Sequence, residues 1–385
     1  MRTRCLAYAY EIELASDTDV DQSGAIKDQL AAVPDGTIDN PTLVYFPPGR
    51  YRADNRISVV GRSHLRLTCP DGMFTSYTDV KIDPVTGIAI QKPHVDINRS
   101  TNVVVSRFNV DGPNTVRDAT DPRFAQYATA YESQHAFATR GATRDSGFED
   151  CTFQDVYGDG FYTGRGGTSG IPSNVWAKRI GGTWCGRQAA GLVCGEGVTL
   201  EDYDVMWNRR SGIDVEPNGD LDRVYDLTLR RVTVRPWSMG FSFTGSGSTV
   251  VPDRRNFYLR DCVNLSPSQF IGSAGVGGDK IVIDGYTCMS YSSTVGMSLG
   301  GWLEAEVRNS RITSSQATPT TQFIRSGVKG SLTVTNCNGN GRDDGQGNFT
   351  SDGFDELVTF PTTVPASYTH CGNVWRNNAQ SDGPC

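Results

Sequence analysis

The hexapeptide "LEDYDV" at residues 200–205 recurs along this chain in a form that decides how the chain folds. Its pattern is an apolar residue, any residue, then Asp, Asn, Gly or Arg, a small or apolar residue, any residue and an apolar residue. The other instances are "VSRFNV" (105–110), "FEDCTF" (148–153), "LRRVTV" (229–234), "LRDCVN" (259–264), "IDGYTC" (283–288), "VRNSRI" (307–312) and "VTNCNG" (334–339), with a weaker "IGGTWC" at 180–185. After residue 148 the instances begin 20 to 32 residues apart, which is typical of a solenoid whose coils differ in loop length.

A second short strand follows the central hexapeptides. The segments "GFYTG" (160–164), "GLVCG" (191–195), "GIDVEP" (212–217), "GFSFTG" (240–245) and "VGMSLGG" (295–301) align on their glycines. The alignment predicts two inward columns, the first of Phe161, Leu192, Ile213, Phe241 and Met297 and the second of Thr163, Cys194, Val215, Phe243 and Leu299. Because side chains alternate along a strand, the residues between the columns are predicted to point outward; these are Tyr162, Val193, Asp214, Ser242 and Ser298.

These repeats predict an all-β chain wound into a right-handed parallel β-helix, in which each coil buries its apolar residues against its neighbours. We predict an N-terminal cap over residues 1–60 that is continuous with the solenoid, a β-helix over 61–340 and a loop-rich C-terminal cap over 341–385. The N-terminal cap is predicted to hold a helix within "DTDVDQSGAIKDQLAAV" (17–33) and a strand within "LVYFPPGRY" (43–51). Such a helix would cover the open end of the first coil.

The composition excludes several classes of function. The net charge of −7 is spread over 385 residues and weighs against nucleic-acid binding, which needs a basic stripe. No apolar run is long enough to span a bilayer, and polar residues interrupt the first 19 residues, which we interpret as mature protein. The four histidines are scattered and no CxxC motif is present, so no metal and no cofactor are predicted.

The cysteines fall into two groups. Cys151, Cys262 and Cys337 occupy the same inward position of the hexapeptide, and we predict that they are free thiols packed in the core. Cys371 and Cys385 lie in a polar tail 14 residues apart, where a bridge and two free thiols are equally consistent with the sequence.

A family resemblance appears in the N-terminal segments. "DQSGAIKDQLAAV" followed by "LVYFPPGRY" resembles the cap of the pectate-lyase-like right-handed β-helix superfamily. "INRSTNVVVSRFNVDG" (97–112) and "HAFATRGATRDSGFEDCTFQDVYGDGFYT" (135–163) are similar to its early coils, so that the resemblance covers roughly residues 15–340. It implies the fold and a phage tailspike or polysaccharide-degrading protein, located at the virion surface, in the phage tail or outside the cell. A tailspike would also imply a homotrimer and virion partners.

The superfamily's catalytic signatures do not carry over to this chain. Polygalacturonase-like hydrolases use several aspartates and a Gly-His-Gly motif, whereas this chain has "YGDGF", with one aspartate, and no histidine in the central coils. The candidate site therefore depends on the residues themselves.

Polar residues concentrate on the outward positions of neighbouring coils. We predict as catalytic residues Asp214, Glu216 and Asp159, and as substrate-binding residues Arg187, Arg209, Arg165, Tyr162, Trp237 and Glu196. Two acids two positions apart on a strand are about 6.5–7 Å apart and would face water together, which suits glycosidic cleavage by either a retaining or an inverting route. The arginines could hold substrate carboxylates, and Trp237 could stack on a sugar ring.

The alternatives remain open at this point. Asp214 and Glu216 could be surface acids paired with Arg209 and Arg210, which contributes little stability. His135, at the start of a coil, is better explained by a structural role than by a general base. The function is accordingly binding and cleavage of a cell-surface polysaccharide by a hydrolase or lyase, or a non-catalytic virion protein or glycan-binding adhesin.

Overall fold

The computed structural model describes residues 10–16, 19–75, 94–114, 133–167, 170–236, 239–243, 250–265, 270–271, 278–291, 295–314, 320–339, 354–360, 365–375 and 380–385. The chain divides into two compact units, residues 1–186 and 187–385. No helix among the described residues is long and apolar enough to cross a membrane.

Among its described residues, the first unit contains one helix and parallel strands. The helix is α1 (Ser23–Ala32) and the strands are β1 (Tyr10–Glu11), β2 (Thr42–Tyr45), β3 (Gly49–Arg52), β4 (Ile57–Val60), β5 (Ser63–Thr75), β6 (Val95–Asn98), β7 (Thr101–Asp111), β8 (Phe137–Arg140), β9 (Arg144–Glu149), β10 (Thr152–Val156), β11 (Phe161–Gly164) and β12 (Ser173–Cys185).

The second unit consists of further parallel strands, with an antiparallel pair at its C-terminal end. Its strands are β13 (Ala190–Leu192), β14 (Gly195–Asn208), β15 (Ile213–Val215), β16 (Val224–Pro236), β17 (Phe241–Ser242), β18 (Arg254–Arg260), β19 (Val263–Asn264), β20 (Phe270–Ile271), β21 (Gly278–Asp284), β22 (Thr287–Tyr291), β23 (Val295–Gly300), β24 (Trp302–Arg308), β25 (Arg311–Ser314), β26 (Thr320–Gly327), β27 (Ser331–Thr335), β28 (Asn338–Gly339), β29 (Phe354–Thr359), β30 (Ser367–Cys371), β31 (Val374–Trp375) and β32 (Gln380–Ser381).

In each unit the chain returns to the same sheet once per coil. In the first unit the short strands β4, β6, β8 and β11 stack in parallel register, and the hexapeptide strands β5, β7, β9, β10 and β12 form the other layer. In the second unit β13, β15, β17, β20, β23, β26 and β29 stack in the same way. Parallel strands joined by whole coils are the architecture of a parallel β-helix, so the predicted fold class is confirmed.

The inward columns form the core of each coil. Ile213 pairs in register with Phe241, which pairs through Phe270 with Met297, and all four side chains are fully buried. In the first unit Phe161 pairs with Phe137 in the corresponding sheet. The predicted register of one coil was wrong: Ala190 pairs with Ile213, Gly191 with Asp214 and Leu192 with Val215, so these three residues occupy the places predicted for Leu192, Val193 and Cys194. The glycine alignment had placed that strand two residues too late.

The third position of the hexapeptide explains the repeat. It adopts the left-handed conformation in coil after coil, with φ between +51° and +77°; the residues are Arg107, Asp150, Arg179, Asp202, Arg231, Asp261, Gly285, Asn309 and Asn336. A left-handed residue bends the strand, and Gly, Asn and Asp tolerate this conformation best. Two of the three arginines among them face an acid of the preceding coil, Arg179 with Asp150 at 2.6 Å and Arg231 with Asp202 at 2.5 Å. Opposite charges in successive coils thus accompany the bend.

The strand pairing also corrects the predicted position of the weakest hexapeptide. Phe148 pairs with Ala177 and Phe153 with Gly182, so the repeat in β12 is residues 177–182 and not 180–185. Ile180, which the prediction placed first, lies in the fourth position and fills the place that Cys151 has one coil earlier. The pair Gly181–Gly182 hid this register because neither residue carries an apolar side chain.

The predicted cap helix is present. Ile26 and Leu30 of α1 are buried, and the backbone N–H of Ser23, its first residue, donates a 3.0 Å hydrogen bond to Asp21 Oδ1. The predicted strand at 43–51 is divided by its two prolines into β2 and β3. The domain boundaries at 60 and 340 remain a prediction.

The cysteines behave as the repeat predicted. Cys151, Cys262 and Cys337 are buried free thiols. Cys371 and Cys385 form a disulfide with Cα atoms 5.0 Å apart, which settles the alternative that the sequence left open.

Candidate functional site

Of the predicted acids, Asp159 belongs to the first unit, and Asp214 and Glu216 belong to the second. We call the residues around the first the Asp159 cluster (His94, His135, Asp159 and Tyr162) and those around the other two the Asp214 cluster (Gln188, Asp214, Glu216, Ser242, Asp253 and Arg254). Tyr162, Asp214 and Ser242 lie on the short strands, where inward apolar residues alternate with side chains on the other face, whereas Arg254 begins a strand of the other layer.

Asp214 is the central residue of β15, between the buried Ile213 and Val215. Its register partners are Gly191 on one side and Ser242 on the other, so that a glycine leaves room beside the carboxylate. The Gln188 side-chain amide donates a 2.8 Å hydrogen bond to Asp214 Oδ2. Only 8% of Asp214 is exposed, so the expectation that it would face water openly was wrong.

A buried arginine, which was not predicted, donates a hydrogen bond to the backbone of this strand. Arg254 and Asp253 are both fully buried, and Arg254 Nη1 donates to Asp253 Oδ2 at 2.8 Å. Arg254 Nη2 donates to the carbonyl of Val215 at 3.1 Å, the residue between the two predicted acids. Burial lowers the pKa of Arg254, and the charges of Asp253, Asp214 and Glu216 oppose that shift. The guanidinium therefore lies within electrostatic range of both candidate carboxylates.

Glu216 follows β15 directly and is only partly buried. Its backbone N–H donates to the carbonyl of Leu192 at 3.1 Å, which ties the end of β15 to the neighbouring coil. Asp214 and Glu216 are thus held on one strand end by backbone pairing, with unequal exposure of their side chains. Two carboxylates in different environments are a recurring arrangement for acid and base roles.

The predicted arginines border this cluster. The carbonyl of Arg187 accepts a 2.9 Å hydrogen bond from the Arg210 N–H, which brings the coil of Arg187 beside that of Arg209. Both Arg187 and Arg209 are partly buried. Glu196 belongs elsewhere: it lies on β14 in the other layer and pairs with Arg223 at 2.7 Å. Trp237 lies outside the described residues.

In the first unit, Asp159 precedes β11 and is fully buried, so the expectation of an outward, hydrated acid was wrong here as well. His135 Nδ1 lies 3.2 Å from Asp159 Oδ2, and the Asp159 backbone N–H donates to the same nitrogen at 3.1 Å. In the neutral ring the proton is therefore on Nε2. The His135 ring stacks on Tyr162 with centroids 4.3 Å apart and planes 4° apart.

A neighbouring histidine and an ion pair complete this region. Burial, and then the nearby His135, lower the pKa of His94 to about 4, so this ring is neutral near pH 7. On the same sheet Arg140 makes two bonds to the fully buried Asp96, Nε to Oδ1 at 2.8 Å and Nη2 to Oδ2 at 2.5 Å. Arg165, directly after β11, is partly buried.

Sequence reasoning missed Arg254, Asp253, Asp96 and Arg140, and it gave His135 a structural role. The one available signal was that His135 and Asp159 both stand two residues before a short strand, at Phe137 and Phe161. That shared offset predicts that the two side chains lie in adjacent coils. The sequence pattern gave no signal for Arg254. It is the first residue of its strand, and the residue that pairs with it in the preceding coil is apolar.

No protein-family model matches the sequence, and no curated protein is similar to it in sequence. Solved structures are similar in fold. The Family 28 exopolygalacturonase of Yersinia enterocolitica is 10% identical, with a TM-score of 0.58 over 94% of this chain and 76% of that one. Endo-xylogalacturonan hydrolase of Aspergillus tubingensis is 13% identical, with a TM-score of 0.50 over 98% of both chains.

ORF18 of Geobacillus virus E2 is 13% identical, with a TM-score of 0.53 over 93% of this chain. The present chain spans about 59% of the length of that viral protein. These likenesses confirm the parallel β-helix fold that the resemblance of the N-terminal segments predicted. At such identities the likeness shows the fold.

Proposed function

We propose that this protein binds a cell-surface polysaccharide and cleaves its glycosidic bonds at the Asp214 cluster. The observation that carries the proposal is the nearly buried Asp214 carboxylate, held by Gln188 at 2.8 Å and lying near the buried Arg254. Burying charges costs free energy that an apolar residue at the same place would not cost. A cluster of this kind therefore favours a functional role, and its parallel β-helix scaffold is one on which polysaccharide hydrolases occur.

The two carboxylates would have different roles. Asp214 accepts a hydrogen bond and lies near a guanidinium, which suits the carboxylate that activates water or attacks the anomeric carbon. Glu216 is more exposed and would donate a proton to the leaving glycosidic oxygen. A spacing of two strand positions, about 6.5 Å along the backbone, leaves both the retaining and the inverting route open.

The remaining predicted residues keep their roles within this proposal. Arg209, in the coil of Asp214, and Arg187, in the neighbouring coil, would bind hydroxyl or carboxylate groups of the sugar chain. Trp237 would stack on a sugar ring. For Asp159, Tyr162 and Arg165 we propose a contribution to glycan contact in the first unit. Glu196 would contribute less, since Arg223 already engages it.

The likeness to a viral protein supports a location at the virion surface or outside the cell, where a polysaccharide would be met. A homotrimer and contacts with other virion proteins belong to the same proposal.

Turnover on purified bacterial surface polysaccharides tests the proposal, read as reducing ends released or as absorbance of unsaturated products. Asp214→Asn and Glu216→Gln should each lower turnover at least a hundredfold, as expected for loss of a general acid or base. The matched control is Glu304→Gln, which removes an exposed acid paired with Lys280 at 3.5 Å and should leave turnover unchanged.

Unchanged turnover in Asp214→Asn would refute the assignment of this residue. A wild-type protein that binds a glycan without any turnover would instead establish the non-catalytic alternative, a glycan-binding adhesin or structural virion protein.

A further inference from the structure

A second surface of the first unit has the features of a binding site and is distinct from both acid clusters. A groove of about 300 Å³ lies on the outer face of the strands that follow the left-handed bend. The residues that line it include Met73, Asn109, Thr152, Gln154, Gly181 and Thr183. Its volume is at the lower end of the range for small-molecule sites.

The register of the coils arranges these residues in two rows. Met73, Asn109, Thr152 and Gly181 follow one another in successive strands, and Gln154 and Thr183 belong to the next outward row. Neighbouring strands are about 4.8 Å apart, so the step from Asn109 through Thr152 to Gly181 covers about 10 Å. The groove therefore presents two adjacent polar pairs, Asn109 with Thr152 and Gln154 with Thr183, and the first pair is flanked by Met73 and Gly181.

Hydrogen bonds within the groove hold these groups in place. Thr152 Oγ1 donates to Asn109 Oδ1 at 2.5 Å, and Asn109 Nδ2 donates to the carbonyl of Gly72 at 2.8 Å. Gln154 Nε2 donates to Asp111 Oδ1 at 3.0 Å. An amide has two N–H groups and an oxygen with two lone pairs, so Asn109 and Gln154 each retain both donor and acceptor capacity toward a ligand, whereas Thr152, whose O–H is already donated, retains acceptor capacity.

The charge pattern selects the ligand class. None of the described residues that line the groove is charged, and the adjacent Asp111 is paired with Arg50 at 3.0 Å. An anionic polymer would need cations here. Neutral sugars instead need side chains that both donate and accept, and they place their C–H faces on apolar groups such as the thioether of Met73.

We propose that this groove binds a neutral stretch of polysaccharide, about two sugar rings long, as an accessory site that holds the glycan while it is processed elsewhere. The inference rests on the proposed function only in taking the ligand to be a polysaccharide. It shares no residue with the Asp214 cluster.

Gly181 provides the sharpest test. A Cβ added there meets only Thr152 Cγ2, at 3.8 Å, so a larger side chain fits without disturbing the strand and enters the groove. In the Asp214→Asn background, which removes turnover from the measurement, we expect Gly181→Trp to weaken binding at least tenfold. Thr152→Ala should weaken it about three- to tenfold, the effect of one or two lost hydrogen bonds.

The probes are neutral hexasaccharides of glucan, xylan, mannan and galactan, titrated calorimetrically, with oligogalacturonate as the charged comparator. Thr233→Ala, which replaces the threonine at the same hexapeptide position in the second unit, should bind as Asp214→Asn alone does. Unfolding midpoints of all variants verify that the fold is retained.

Binding of no neutral glycan, binding of oligogalacturonate alone, or equal binding by Gly181→Trp and its parent would each overturn the inference. The outcome is independent of catalysis. A protein without turnover can still bind at the groove, and a protein that cleaves normally can fail to bind there.

Discussion

Replacing Arg254 by methionine tests whether the buried ion pair of the second unit is a structural necessity. Arg254 and Asp253 are both fully buried and 2.8 Å apart, and Arg254 also donates to the Val215 carbonyl. Methionine keeps much of the length and apolar surface of the arginine but removes the charge. The negative charge of Asp253 then loses its neighbouring guanidinium inside the core.

The expected loss in the free energy of unfolding follows from the burial of both charges. Removing one partner of a buried pair costs about 3–5 kcal/mol, because the desolvation cost of the other charge is no longer offset. For a cooperative unit of 150–250 residues, each kcal/mol lowers the midpoint by about 2–4 °C, so a decrease of about 6–20 °C is expected. The double variant Asp253→Asn with Arg254→Met removes both charges and should recover most of that loss.

Thermal unfolding followed by circular dichroism measures the effect. The control is Arg308→Met, since Arg308 pairs with Asp284 at 3.0 Å on the surface, where such pairs contribute about 0–1 kcal/mol. A decrease of less than 3 °C for Arg254→Met, or a double variant no more stable than the single one, would refute the reasoning.

Two further predictions concern the core. Gly182→Ala should lower stability by about 1–3 kcal/mol in denaturant unfolding, because its Cβ would lie 2.1 Å from the Phe153 ring. Gly181→Ala, with nothing nearer than 3.8 Å, should change stability by less than about 0.5 kcal/mol; equal effects of the two would contradict the register of β12. Burial raises the pKa of the Cys151, Cys262 and Cys337 thiols to about 12, from an ordinary value of 9.0. Since the folded state holds these protons more tightly, their contribution to stability is complete below pH 9 and is lost as the pH rises toward 12. The unfolding midpoint should therefore fall over this range, and more gently in Cys262→Ala; identical slopes would exclude the thiols as the cause.

The repeat made much of the fold predictable. The hexapeptide marks the bend because its third residue must adopt positive φ, and Asp202, Asn309 and Gly285 are residue types that do so. The inward columns followed from alternation along each strand, which is why Ile213 and Phe241 were placed together correctly. The two errors of register, at Leu192 and in β12, arose where glycines or small residues replaced the apolar markers.

The candidate site was predictable only in part. Alternation showed that Asp214 does not belong to an apolar column, but not that it is 8% exposed and bonded to Gln188. Similarly, the position of Asp159 before a short strand could be predicted from the sequence, whereas its burial beside His135 could not. Exposure depends on what covers a sheet face, and the strand pattern carries no information on that.

The sequence alone determined the winding of the chain, the position of the bends and which side chains enter the core, because these depend on residues within one coil and on their recurrence. The tertiary structure decided which polar groups meet: Gln188 with Asp214 across 26 residues, Arg254 with the Val215 carbonyl across 39, and Arg140 with Asp96 across 44. Loops of differing length separate these partners, so no fixed spacing connects them, and only the stacked register of the folded coils brings them together.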